Sequence, residues 1–472
     1  ISDTDPYCMM AYWGLAMCNF HPLWAPPSQV ELKKGLHIIQ LARSIAADKT
    51  SRESEYVEAI AAIYDNYDSL NHRARVLKFE SATEQLYKKY PDDNEAAIFY
   101  SLALRAASDP LDKTYSKQKK AGEILNAVLA KEPNHPGIAH YIIHTFDYPE
   151  LASMGLTAAR RYASIAAASA HAQHMPSHIF TRLGLWDESI QSNLNSISAA
   201  QCYAQNTGIK GHWDEELHGM DYLAYAYLQK GDDDRAIEQI EYLKTITEVF
   251  PSNFKDAYTF AAMPSRSALE RKDWKTAAGL ELAQANISWD KYPWESAHIN
   301  FARLLGAVHS GKMKLAKVEL TQLQQIQNQL SDSKEPYRAN LVFIQVKISE
   351  GWITFYEGNR KAAVESITAA ADLEDKTEKD PVTPGEVLPA RELLGDLYME
   401  MNEPAKALEA YEATLKRRPN RFNALYGAGL AAEKSGDAKT ATQFYQALLA
   451  IVSRDCKRLE IQSAKAFVNK NM

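Results

Sequence analysis

The chain has 472 residues, 46% of them hydrophobic, which is enough apolar material to bury a large core. Its formal charge of -7 argues against a nucleic-acid surface, and no apolar run reaches the ~18 residues that a membrane-spanning helix needs. Four scattered cysteines, Cys8, Cys18, Cys202 and Cys456, lack CxxC spacing and read as buried small side chains, neither a disulfide framework nor a zinc knuckle.

Low glycine and abundant alanine suit packed helices, and paired helices are predicted at about 6–18, 28–47, 54–66, 73–89 and 94–107. The first, in DPYCMMAYWGLAMC (5–18), is apolar and aromatic where a terminal repeat normally carries a polar cap. Tyr7, Met10, Tyr12 and Trp13 therefore require cover from the chain itself, from a segment outside it, or from another molecule. A start at Ile1 without methionine leads us to expect a removed export leader and a periplasmic or extracellular location.

A polar break at 108–118 precedes histidine-bearing helix pairs over about 120–205. The insertion CYAQNTGIKGH (202–212) follows, and further pairs run to the charged, proline-containing stretch EDKTEKDPVTPGE (374–386), read as an exposed loop. The resulting organisation is 1–107, 108–230, 231–373, the loop 374–386, and 387–472, all in one continuous stack.

The repeat is plainest near the C-terminus. Gly395, Ala407 and Tyr411 recur 34 residues later as Gly429, Ala441 and Tyr445, and Asn402 recurs as Gly436 in the turn. A 34-residue period with small residues at helix crossings resembles the tetratricopeptide repeat. The resemblance implies an all-α, TPR-like α-solenoid of stacked antiparallel helix pairs forming a superhelix.

Sliding the frame back to Ser189 and Ala236 makes His140, His174 and Asp221 equivalent, as are His144, His178 and Tyr225, and Gly137, His171 and His218. Spacings of three, four and seven put these residues on one face of each first helix. Parallel neighbouring helices roughly 8–10 Å apart would let facing imidazoles share one ion. One histidine on such a face is ordinarily a hydrogen-bonded polar residue; six in register point to a metal or a tightly specified polar site. We expect a first shell of His140, His174 and His178, with His144, His171, His218 and Asp221 as near neighbours and His140, His144, His174 and His178 converging on one patch.

Imidazole with carboxylate suits a divalent transition metal, zinc or copper ahead of iron or nickel, better than calcium. Asp147 or Asp221 could orient an imidazole through its second nitrogen, Tyr225 could donate to a ligand, and Arg266 in the next repeat could attract an anion. His21 and His135, beside prolines, read as caps or turns. Pro176 is expected to kink the first helix after His174, although Pro264 stands at the same repeat position.

HPGIAHYIIHTFD (135–147) and HAQHMPSHIFTRLGLW (171–186) resemble bacterial tetratricopeptide proteins carrying HPGxxHYxIHxxD and HxxHMPSHIFxRLGxW. AYWGLAM (11–17), HPLW (21–24) and DYLAYAYLQ (221–229) look like parts of the same family. The resemblance implies a repeat scaffold with a histidine centre and carries over no activity. The absence of HExxH, a nucleophile elbow, a phosphate loop or a Rossmann turn argues against ordinary hydrolysis and a nucleotide cofactor. The expected function is a scaffold holding a metal, small ligand or peptide in its groove, with head-to-tail self-assembly as a further property. The alternatives are an extracellular filament subunit and a metal-dependent enzyme.

Overall fold

The computed structural model describes residues 1–23, 26–45, 50–283 and 285–471. Trp24 of the HPLW motif and residues 46 and 47 of the second predicted helix lie outside these. The described residues are helical throughout, apart from loops and two two-residue strands, His212–Trp213 and Val249–Phe250, paired in parallel. The helices divide into two compact units, residues 1–147 and 148–472, each a stack of successive helix pairs.

In the first unit, helix starts are written into the sequence. Ser28 with Glu31, and Thr50 with Glu53, form capping boxes that satisfy the free N–H groups of the Gln29–Ser44 and Ser51–Tyr64 helices. The core gathers Phe20, Ile39, Ile60, Tyr64 and Phe79. Trp13 stands edge-on to Tyr56 at 5.7 Å and to Phe99 at 4.7 Å, and Met10 and Tyr12 pack beside it, so the chain itself supplies much of the cover this face requires. Tyr7 stays exposed.

In the second unit the C-terminal repeats show why the small residues recur. A Cβ on Gly395 would meet the Tyr411 ring at 2.7 Å, and one on Gly429 would meet the Tyr445 ring at 2.5 Å. The turn positions Asn402 and Gly436 both take left-handed backbone, φ 58° and 81°. The insertion at 202–212 extends the Trp186–Thr207 helix, turns through Gly208 and Gly211, and ends in the first strand.

Residues 374–386 are not the exposed loop that their charge and prolines indicate. Residues 374–376 end the Arg360–Lys376 helix, Glu374 and Thr383 are buried with the adjoining Val387 and Leu388, and Glu374 and Glu386 both pair with Arg418. The hydroxyls of Tyr222 and Tyr258 donate to the carbonyls of Thr383 (2.8 Å) and Gly385 (3.3 Å). Charge here is the means of docking, because each carboxylate finds a guanidinium.

The last repeats of this unit pack back onto its early ones. Trp186 Nε1 donates to the Asn420 carbonyl (2.7 Å), the Ser453 amide donates to the Lys230 carbonyl (2.8 Å), and Arg458 pairs with Asp233. Arg421, fully buried, joins Glu270, Glu392 and the Tyr225 hydroxyl. Leu448 lies buried with Tyr445 and Ile461, with Phe444 and Phe467 packed against them, so the Leu459–Asn471 helix closes the apolar face of the last helix pair.

The cysteines depart from expectation. All four are free, but Cys18 and Cys202 are exposed and Cys8 and Cys456 half-buried. Cys18 ends its helix and Cys202 falls on a half-solvated helix, where its sulfur accepts from Asn206 Nδ2 at the surface, so repeat packing draws neither thiol inward.

Candidate metal centre

The centre is built around a broken helix. Ser169 caps the Ala170–His174 helix through its side chain, and Pro176, which lacks an N–H, opens a separate helix, Pro176–Leu183. The expected kink after His174 is a local interruption: Met175 keeps helical backbone (φ -51°, ψ -39°) and its N–H still bonds to the His171 carbonyl, so His174 and His178 remain one turn apart. Pro264, at the equivalent position, sits inside the continuous Phe254–Glu270 helix, so proline alone does not force the break.

Across that break His174 and His178 face each other, and the Asp214–Gln229 helix brings His218 and Tyr222 against them from the next repeat. All three imidazoles are buried, at 0%, 3% and 7% exposure. Ring centroids of His174 and His218 lie 4.1 Å apart, those of His174 and His178 5.0 Å. One nitrogen from each of the three falls within 4.8 Å of the others.

The surrounding hydrogen bonds orient the rings and place the His174 proton. Asn193 Nδ2 donates to the Ser189 carbonyl (2.8 Å), which turns Asn193 Oδ1 toward His174 Nδ1 at 2.7 Å. Oδ1 only accepts, so His174 carries its proton on Nδ1 and a lone pair on Nε2. The Tyr222 hydroxyl donates to the Thr383 carbonyl, and its oxygen lies 3.4 Å from His178 Nδ1. The Nε2 atoms of His174 and His178 stand 3.1 Å apart, close enough to share a proton or an ion. Burial, with His178 and His171 adding to it, holds His174 well below the ordinary imidazole range; burial and His174 do the same to His218.

Beside the triad, His171 Nδ1 lies 3.6 Å from Glu215, whose carboxylate also meets Lys255. Burial acts to raise Glu215, but His171 and Lys255 outweigh it and hold the group at about 2.

The other candidates are placed as follows. Asp221 is buried against Arg266, whose guanidinium also reaches the Tyr258 hydroxyl at 3.3 Å and lies over the Tyr225 ring at 5.1 Å. The Tyr225 hydroxyl accepts from Arg421 at 2.8 Å. Asp221, Tyr225 and Arg266 therefore belong to one interior ion-pair network, in which the suggested ligand and the suggested anion trap satisfy each other. His140 and His144, on the Pro136–Phe146 helix of the first unit, have ring centroids 4.7 Å apart, and Asp147 ends that helix. His21 pairs with Glu31 at 2.8 Å and His135, at a helix N-cap, with Glu95 at 3.0 Å.

Asn193, Tyr222 and Thr383 were not singled out from sequence as parts of the site. Asn193 had one detectable signal: it follows Ser189 by four residues, where Tyr411 and Tyr445 follow Ala407 and Ala441.

None of the curated proteins searched matches this chain. Among solved structures, the human IFIT1 dimer with m7Gppp-AAAA is 10% identical, covering 95% of this chain and 95% of that one at a TM-score of 0.37. The human IFIT1 dimer with PPP-AAAA is 11% identical, covering 90% and 87% at 0.37. The tetratricopeptide repeat family matches residues 393–455, the stretch in which Gly395, Ala407 and Tyr411 recur as Gly429, Ala441 and Tyr445.

Proposed function

We propose that this repeat scaffold holds one divalent transition-metal ion, zinc or copper ahead of iron or nickel, between His174, His178 and His218. The observation that carries the reading is the convergence of three buried imidazoles, one nitrogen of each within 4.8 Å of the others and the Nε2 atoms of His174 and His178 3.1 Å apart. A proton between that pair satisfies two of the rings, whereas one cation engages all three without charging a buried imidazole. A tetrahedral ion with ligand bonds of ~2.0–2.1 Å sets its nitrogens roughly 3.3 Å apart, close to the separation seen.

Asn193 and Tyr222 act here as orienting partners, fixing ring and tautomer so that Nε2 faces inward. The near-complete burial of all three imidazoles favours an ion that fastens the proline-interrupted helix to the next repeat, with substrate turnover as the second reading. A bound ion of this class would neutralise the converging lone pairs and leave one tetrahedral position for a further ligand.

Purified protein, reconstituted with zinc and dialysed, should contain about one equivalent of metal, and cobalt should give the visible spectrum of a tetrahedral nitrogen site. His174→Ala and His218→Ala should lose both signals. Absence of retained zinc, copper or cobalt in folded wild-type protein would refute the assignment.

A further inference from the structure

We propose a second ligand site in the 148–472 unit, independent of metal, that takes a small uncharged primary amide. It is a cavity of about 50 Å³ between the helices Phe254–Glu270, Pro293–His309 and Pro336–Tyr356, closed by residues 377–388. One water needs about 10–15 Å³ of such space, so the cavity admits on the order of four non-hydrogen atoms.

Its apolar wall is aromatic: Tyr258 and Trp294 lie 5.2 Å apart at 31°, with Phe301 and Ile344 beside them. Its polar wall centres on one pair, with the Trp294 Nε1–H beside it also buried without a partner. His298 Nδ1 is 3.0 Å from Gln345 Nε2, while His298 Nε2 and Gln345 Oε1 are both buried without a hydrogen-bond partner. Such orphaned atoms are costly and call for an occupant.

What the pair offers does not depend on how its hydrogens are assigned. If Gln345 donates to Nδ1, the cavity receives an Nε2–H donor from His298 and the Oε1 acceptor of Gln345. With the amide turned and the other tautomer, it receives an Nε2 acceptor and an amide donor. In both cases the pair supplies one donor and one acceptor and Trp294 Nε1–H adds a second donor, which a primary amide complements with the two lone pairs of its C=O and with its N–H.

A carboxylate supplies only acceptors and an ammonium only donors, so either leaves one wall atom unmatched. The charged groups in the wall are largely offset. Arg418 pairs with Glu386 and Glu374, burial and the Glu386 charge push the Glu374 carboxyl up to about 8 so that it keeps its proton at neutral pH, Lys379 adjoins Asp380, and burial keeps His298 neutral, at about 3. An uncharged ligand fits this balance.

Acetamide is the probe. Ligand-observed NMR titration of the intact, metal-loaded protein should show saturable binding with a dissociation constant in roughly the millimolar range expected for so few atoms. N,N-dimethylacetamide, which has no N–H, and acetate, which is charged, should each bind at least about tenfold more weakly. Gln345→Leu should weaken acetamide by about tenfold at unchanged metal content, and chelated protein should bind acetamide as well as loaded protein does. If Gln345→Leu fails to fold by circular dichroism, His298→Phe, which removes the donor and fills the space, is read in its place. Non-saturable binding, equal binding of the three probes, insensitivity to both substitutions, or crystals soaked in acetamide that show only ordered water would each overturn the proposal.

Discussion

The helix pair around Ala407 and Tyr411 and the pair around Ser189 and Asn193 share one repeat frame and fill it with opposite chemistry. In the first, the Tyr411 ring packs against Gly395 and its hydroxyl reaches Asp396 at 2.8 Å. In the second, Asn193 takes the tyrosine's place, Ser177 takes the glycine's, and Ser189, Ser192 and Ser196 line the same buried seam. Ser192 and Ser196 donate across it to the carbonyls of Gln173 and Ala170. The frame thus depends on small residues at the crossings, not on an apolar seam, and polarity is tolerated because each group has a partner. The tyrosine position is where a repeat can give up packing and gain an orienting amide.

The strongest test of that contrast is metal removal. At a free metal concentration about a thousandfold above the dissociation constant, binding contributes about 4 kcal/mol. Chelation should therefore lower the melting temperature on the order of 10 °C while helix content below the transition is retained. Calorimetry with and without chelator measures this, and an unshifted melt would mean that the polar seam stands without an ion.

Glu295 extends the contrast to a buried polar group that lacks Asn193's partners. Both its oxygens are buried without hydrogen bonds, and the nearest cation, Arg338, is 3.6 Å away. Burial, only partly offset by Arg338, pushes its carboxyl up to about 7 from 4.5. Between those values the folded chain holds a proton that the unfolded chain releases, so stability contributed here falls as pH rises from 4.5 to 7. Glu295→Gln should remove that slope, raising stability at pH 8 relative to pH 4.5 by about 3 kcal/mol, read from urea unfolding at the two pH values.

Asn193→Leu makes the polar seam more like the apolar one. It should weaken metal binding roughly 10- to 100-fold in a competition titration, with Asn193→Asp restoring most of the affinity because a carboxylate also accepts from Nδ1. The smallest effect belongs to the other side of the comparison. Gly395→Ala forces a Cβ into the Tyr411 ring and should cost about 2 kcal/mol in denaturant unfolding at unchanged metal content.

Much of this was legible from repetition. The 34-residue period near Gly395 and Gly429 announced paired helices, and histidines recurring on first-helix faces announced a cluster containing His174 and His178. Selection among register-equivalent residues was harder, because periodicity places a side chain on a face without giving its distance to the next helix. His218 meets His174 in the structure, whereas Asp221, one turn further on the same helix, meets Arg266. Residues 374–386 misled for a different reason: charge and proline signal solvent only while the charges lack partners, and Arg418 stands 32 residues beyond Glu386. Thr383 could not be tied to Tyr222 by any spacing, since 161 residues separate them.

An open stack of repeats behaves like a spring, each turn touching only its neighbours and able to stretch or fray from its free end. The bonds from Trp186, Lys230 and Asp233 to residues 420–458 tie that spring to itself within the second unit. Such ties exchange elasticity for cooperativity, so loss of the terminal repeat also unlatches the turns next to the histidines. They also join points more than two hundred residues apart along the chain, raising contact order and making closure of the tie a slow, late event in folding.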